Sequence, residues 1–270
     1  MRNLLTLIAK GFIVGGTMLV PGISGGAMAI ILGVYDNLIQ AASSLTQNPK
    51  PHIRFLLIFS LSGIAGIFLA ARPLLHLIEL YTQPALYFFL GAVFGSVPML
   101  ISRARRGRLT KVSLLWVLVG ILIIFVIVLL SRQLGANPYF AVEGFLTLLI
   151  AGILSAAALI LPGISMSYLW LIFDMYDNTI RALSTFNLGY LIPLGLGGLI
   201  GILLCARFLE MLMKRYPTPT YLVILGFLLA SVAEVFPGLP SGWGWLICPL
   251  LFFIGMGIVL LISKLGAKHG

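Results

Sequence analysis

The chain has 270 residues, of which 60% are hydrophobic and 9% charged, with a formal net charge of +10 and a mean hydropathy of +1.13. A soluble globule of that composition would expose apolar surface and aggregate, so the composition excludes a water-soluble domain and predicts an all-α polytopic membrane protein. The positive charge needs no nucleic-acid partner, because basic residues gather in cytoplasmic loops beside anionic headgroups.

The N-terminus imitates a secretory signal, with Arg2 before an apolar stretch, but Lys10 splits the run and the same element recurs near residue 150. A cleavable leader has no reason to carry an internal copy. The stretch Leu4 to Leu45 is interrupted by Pro21-Gly22-Ile23-Ser24. Its proline removes a backbone donor and its glycine adds freedom, so the stretch reads as a re-entrant hairpin hinged at Pro21 and Gly22. Ser24 suits the N-cap of the second arm, whose first-turn amides, from Gly25 and Gly26 onward, lack intrahelical partners. In an apolar medium those donors must be satisfied. Two solutions stand side by side: a bound phosphate or carboxylate drawn by the helix dipole, or broken tips that cap each other. At 1.5 Å per residue, Asp36 falls about 18 Å along that arm, at headgroup level. Tyr35 then fits an interfacial belt and Asp36 a solvated surface.

Spans near Phe55 to Ala71 and Ala85 to Ile101 follow. Arg72 sits deep in the first of them, where an arginine costs about 2.5 to 3.5 kcal/mol on insertion scales and should face a partner inside the bundle. Pro73 kinks the helix beside it, His76 adds a donor, and Glu79 is two turns away, which makes Arg72 a better match for an exogenous anion than for a local acid. The basic run Arg103 to Lys111 reads most simply as a topology determinant. Val112 to Leu130 is a third span.

From there the chain repeats itself. Pro162-Gly163-Ile164-Ser165 and Tyr176-Asp177-Asn178 restate Pro21 to Ser24 and Tyr35 to Asn37 at an offset of 141. Farther on the offset is 135, with Gly63, Gly66, Arg72, Tyr81, Pro84 and Gly91 matching Gly198, Gly201, Arg207, Tyr216, Pro219 and Gly226. The slip falls near Gln47 to Lys50, in a polar loop. A second hairpin is expected over Phe145 to Leu183, hinged at Pro162 and Gly163, and spans over Tyr190 to Leu204, Tyr221 to Val235 and Trp245 to Ile262. Arg207 has Glu210 on its own helix face as a local salt-bridge partner. Asp174 stands where the first copy has Gly33, and Tyr176 and Asp177 repeat the interfacial pair. Cys205 and Cys248 read as buried thiols, and no metal or cofactor site is expected.

With both hairpins returning to the side they entered and the N-terminus cytoplasmic, inner loops collect 13 of the 17 basic residues. Arg132 and Arg181 fall outside, and Arg72 and Arg207 lie within spans. The span at 111–132 then turns the second copy over, giving one transmembrane domain with a repeat at 1–110, an inverted repeat at 143–240 and a final span at 241–270. Both termini are expected in the cytoplasm. Paired broken helices of this kind favour a transporter with a midplane site, where Ser24, Gly25, Gly26, Ser165, Arg72 and Arg207 would bind an anion.

The run Pro21 to Gly26, the second Pro-Gly-Ile-Ser at Pro162 and the repeated Tyr-Asp-Asn resemble the PopT family of polyprenyl-phosphate transporters, formerly catalogued as a domain of unknown function. The resemblance covers nearly the whole chain. It implies a bacterial plasma-membrane protein that returns undecaprenyl phosphate from the outer to the inner leaflet for cell-wall synthesis. The second copy departs from the first, reading Ser-Met-Ser-Tyr at Ser165 to Tyr168 where the first reads Ser-Gly-Gly-Ala. Moving one negative charge inward costs about 2.3 kcal/mol per 100 mV, which proton co-import through Asp174, Glu210, Glu79, Asp36 or Asp177 would offset. The alternative is a membrane undecaprenyl-pyrophosphate phosphatase with a similar fold. That chemistry leans on clustered glutamates and an arginine directly after the motif serine, where this chain has Gly25 and Met166. Another anion carrier is the remaining option, while a channel is disfavoured by the scarcity of polar residues along the spans.

Overall fold

The computed structural model describes residues 2–18, 24–46, 49–105, 113–135, 144–163, 166, 169–170, 173 and 175–267. Of the predicted site residues, Pro21, Gly22, Ser165 and Asp174 lie outside the described residues, as do the side chains of Arg72 and Glu79. Every regular element among the described residues is helical. In chain order these are α1 (Arg2–Thr17), α2 (Gly25–Ile31), α3 (Tyr35–Ser43), a 3-10 turn (Ser44–Thr46), α4 (Pro49–Leu80), α5 (Thr82–Ala104) and α6 (Ser113–Gly135). The second half supplies α7 (Phe145–Ile160), α8 (Tyr176–Ser184), α9 (Leu188–Arg215), α10 (Pro217–Val235) and α11 (Gly244–Ala267).

Six spans were expected from the sequence. Among the described residues, four stretches are long and apolar enough to cross a bilayer: Pro49–Ala70, Thr82–Ala104, Leu188–Arg215 and Gly244–Lys264. Ser113–Leu129 and Pro217–Ala233, which match the other two, are shorter apolar helices, as are Leu4–Thr17 and Phe145–Ile160. Side chains such as Leu61, Phe68, Leu118, Leu199 and Leu250 point outward. That is the reverse of a soluble bundle and fits an integral membrane protein, whose helices need lipid against their outer faces.

Helices pair through glycine, since close backbone approach replaces the hydrophobic drive that lipid removes. In the first half α1 lies on α4, where a Cβ on Gly66 would strike the backbone of Phe12. In the second α7 lies on α9, where a Cβ on Gly201 would meet Ile153. The remaining long helices pair crosswise, α5 with α11 and α6 with α10. Gly91 approaches the carbonyl of Phe252, and Gly226 approaches that of Val117, both partners being 135 residues apart. Gly255 against Phe88 and Gly120 against Val223 obey the same offset.

The equivalent helices α5 and α10 run antiparallel. Thr218 Oγ1, at the start of α10, donates to the carbonyl of Ala104 at the end of α5 at 2.8 Å. Beyond the far end of α10, the carbonyl of Gly238 accepts from Tyr87 Oη, near the start of α5, at 3.1 Å.

The glycine seams set a first prediction. Gly91→Val is expected to lower the thermal stability of the detergent-solubilised protein by about 1 to 3 kcal/mol, because the new side chain meets immobile backbone. Gly257→Ala, whose Cβ would meet nothing within 4 Å, should leave the melting curve unchanged. Equal melting of the two variants would show that the α5–α11 seam does not limit stability.

Candidate functional site

Ser24 opens α2 in extended conformation and its Oγ accepts from Ala27 N at 3.1 Å, the N-cap geometry expected from the sequence. The same oxygen accepts a second bond, from Gly163 N at 3.1 Å. Ser24 therefore caps its own helix and the second break at once, the mutual-capping solution. It is buried, 7% exposed.

Two glycines permit this meeting. A Cβ on Gly26 would press on the Ile160 carbonyl and on Pro162, and Gly163 has a φ of +89° with Phe227 backbone where a Cβ would lie. Tyr35 completes the junction, its Oη donating at 3.1 Å to the carbonyl of Ile160, the last residue of α7. Carbonyls in the last turn of a helix lack intrahelical donors, and Tyr35 serves this one.

Tyr35 corrects an expectation. It is 2% exposed and faces the second half, not an interfacial belt. The second arm is not one straight helix: α2 ends at Ile31, Gly33 takes a φ of +67°, and α3 restarts at Tyr35. Gly33 N donates to the Ile30 carbonyl and Val34 N to that of Ala29, both at 2.9 Å, the paired closure of a glycine C-cap. This bend turns Tyr35 and Asp36 inward, so the 18 Å count along a continuous arm overshoots.

Asp36 is likewise engaged. Arg103 Nη1 lies 2.7 Å from its Oδ1, and Tyr221 Oη donates to its Oδ2 at 3.1 Å. One carboxylate thereby ties α3 to the end of α5 and the start of α10. Arg103, expected only to orient the chain, is a structural partner. In the second copy Tyr176, Asp177 and Asn178 are exposed, so the two triplets differ in surroundings.

Arg207 and Glu210 gather at the C-terminal end of α3. Arg207 Nε donates to the Ser43 carbonyl at 3.5 Å, Ser43 Oγ donates to Glu210 Oε2 at 2.5 Å, and Lys214 Nζ lies 2.7 Å from Glu210 Oε1. The local acid expected to serve Arg207 is thus engaged by Lys214 and Ser43. Ser43 was missed in the sequence, although its equivalent Ser184 repeats at the same offset of 141. Among the described residues, no group of three or more His, Cys, Asp and Glu side chains could hold a metal ion.

A cavity of about 310 Å³ opens beside the junction. Gly25, Gly26 and Tyr35 border it from the tip, Gly15 and Gly63 from the α1–α4 seam, and Leu159 and Ile202 from the second half. It is apolar except for isolated hydroxyls.

A family model described as VCA0040-like, undecaprenyl phosphate translocase-like, matches residues 14–241, a range that includes both breaks and every residue lining the cavity except Gly11. The chain belongs to this undecaprenyl phosphate translocase-like family. Curated relatives agree. A Vibrio cholerae protein named polyprenyl-phosphate transporter is 31% identical over 87% of this chain and 78% of its own length. A Staphylococcus aureus protein of the same name is 28% identical over 97% of each chain. No solved structure matches. Because the translocase-like family and its named members are transporters, the chain is not an enzyme, and the phosphatase alternative falls.

Proposed function

We propose that the protein moves a polyprenyl phosphate, undecaprenyl phosphate in a bacterial plasma membrane, from the outer to the inner leaflet for reuse in cell-wall synthesis. The observation that carries this reading is the junction of two broken helices at Ser24 and Gly163 beside an apolar cavity of about 310 Å³, in a chain of the translocase-like family. One phosphate on a long apolar tail needs a small polar point next to a greasy, laterally open space.

The halves form an inverted repeat in this reading, each beginning with a re-entrant hairpin, and the antiparallel α5 and α10 support it. We extend the repeats to include α6 and α11, because the 135-residue register persists through Gly120 and Gly255. Both termini would lie in the cytoplasm. Ser24, Gly25, Gly26, Ser165, Arg72 and Arg207 would supply the phosphate site once the Ser24–Gly163 contact gives way to the phosphate, with Pro21, Gly22, Pro162 and Gly163 as the hinge. Asp36 and Glu210 are already paired with basic side chains. Asp174, Glu79 and Asp177 are therefore the first acids to test as proton carriers.

The test is the leaflet distribution of undecaprenyl phosphate in proteoliposomes holding the wild type, Arg72→Ala or Arg207→Ala, under imposed pH gradient and potential. Equilibration by the wild type and its loss in either variant are expected. A wild type that leaves the lipid where it was placed under every gradient would overturn the reading.

A further inference from the structure

A second cavity, about 270 Å³, lies among α7, α8 and α9. Each described residue lining it has its repeat equivalent in the lining of the larger cavity, 141 positions earlier up to Leu183 and 135 earlier from Leu191 onward. Gly152 answers to Gly11, Leu183 to Ala42 and Gly198 to Gly63. Two accidental voids would not keep register across three helices. The cavities also touch, since Leu159 and Ile202 line both.

One substitution between the copies changes the space itself. Where the first cavity has Ala29, the second has Trp170, and where the first has Val14, the second has Ser155. Trp170 Nε1 donates to Ser155 Oγ at 2.8 Å, and Ser155 Oγ donates in turn to the Ala151 carbonyl at 2.7 Å. The indole is thus latched to α7 inside the smaller cavity. Both linings are glycine and apolar side chains with isolated hydroxyls and no charged residue among those described, so neither suits a phosphate. A flexible, methyl-branched hydrocarbon chain suits both.

We propose that the two cavities are successive stations for the prenyl chain of the transported lipid, joined across Leu159 and Ile202, and that Trp170 sets the width of the second. This rests on the transport reading above. In each inverted half the cavity would open toward the opposite leaflet, so the chain passes from one station to the other as the phosphate crosses.

The experiment places a benzophenone amino acid at Ala42 or, separately, at Leu183, and irradiates each full-length variant in proteoliposomes with undecaprenyl phosphate, transport being measured in parallel. Leu56 and Leu191 are the substitute pair should either label stop transport. Cross-links to the lipid are expected at both positions, with Trp170→Ala raising the yield at 183 and not at 42. Ile202→Trp should slow transport while preserving the cross-link at 42. Cross-linking at 42 alone in a transporting protein, or Trp170→Ala without effect at 183, overturns the second station and leaves the transport reading standing. A wild type that never moves the lipid removes both.

Discussion

Ser24→Ala is expected to abolish lipid transport in protein that still inserts and purifies. The substitution strands two buried amides at once, those of Ala27 and Gly163. An unpaired buried donor costs about 1 to 3 kcal/mol, and here the two costs fall on the contact that holds the broken helices together. Ser24→Thr keeps the oxygen and should retain part of the activity. Ser184→Ala removes an exposed hydroxyl that bonds only its own turn and should transport like the wild type. The measurement is the rate of leaflet equilibration in proteoliposomes at matched protein content. Wild-type transport by Ser24→Ala would mean that the junction between the breaks is dispensable.

Asp36→Ala should destabilise the protein far more than Asp177→Ala, although the two acids occupy equivalent places. Losing Asp36 leaves Arg103, whose side chain is 21% exposed, beside Tyr221 without its anion. Breaking a fully buried pair costs about 3 to 5 kcal/mol. Partial exposure here screens the charges, so about 1 to 3 kcal/mol is expected, spread over α3, α5 and α10. Asp177 is exposed, and its removal should change the melting temperature little. A double exchange, Asp36→Arg with Arg103→Asp, should recover part of the loss. Indistinguishable melting of Asp36→Ala and Asp177→Ala would sink the strap.

Much of this architecture was legible in the sequence because proline and glycine inside an apolar run leave few options, and because the chain states its plan twice. The breaks, the helices on either side of them and the unequal residues at Gly33 and Asp174 were all visible. What Gly33 does was not. A glycine within an apolar stretch reads as tolerated, and only its positive φ shows that the arm turns there and takes Tyr35 inward. Arg103 was hidden inside a basic run whose composition explained it sufficiently. Its partner is 67 residues away in sequence, beyond the reach of any local pattern. Trp170 was passed over because a tryptophan in an apolar stretch is unremarkable until its equivalent is seen to be an alanine lining a cavity.

The crosswise seams bear on how the protein is made. Each half borrows its last contact from the other, α5 from α11 and α6 from α10. While the ribosome is still synthesising residues before Gly244, the Gly91 and Gly95 face of α5 has no partner and rests against lipid. Assembly therefore closes from the end of the chain, and a protein truncated before its last helix should be a substrate for membrane quality control instead of a half-active carrier.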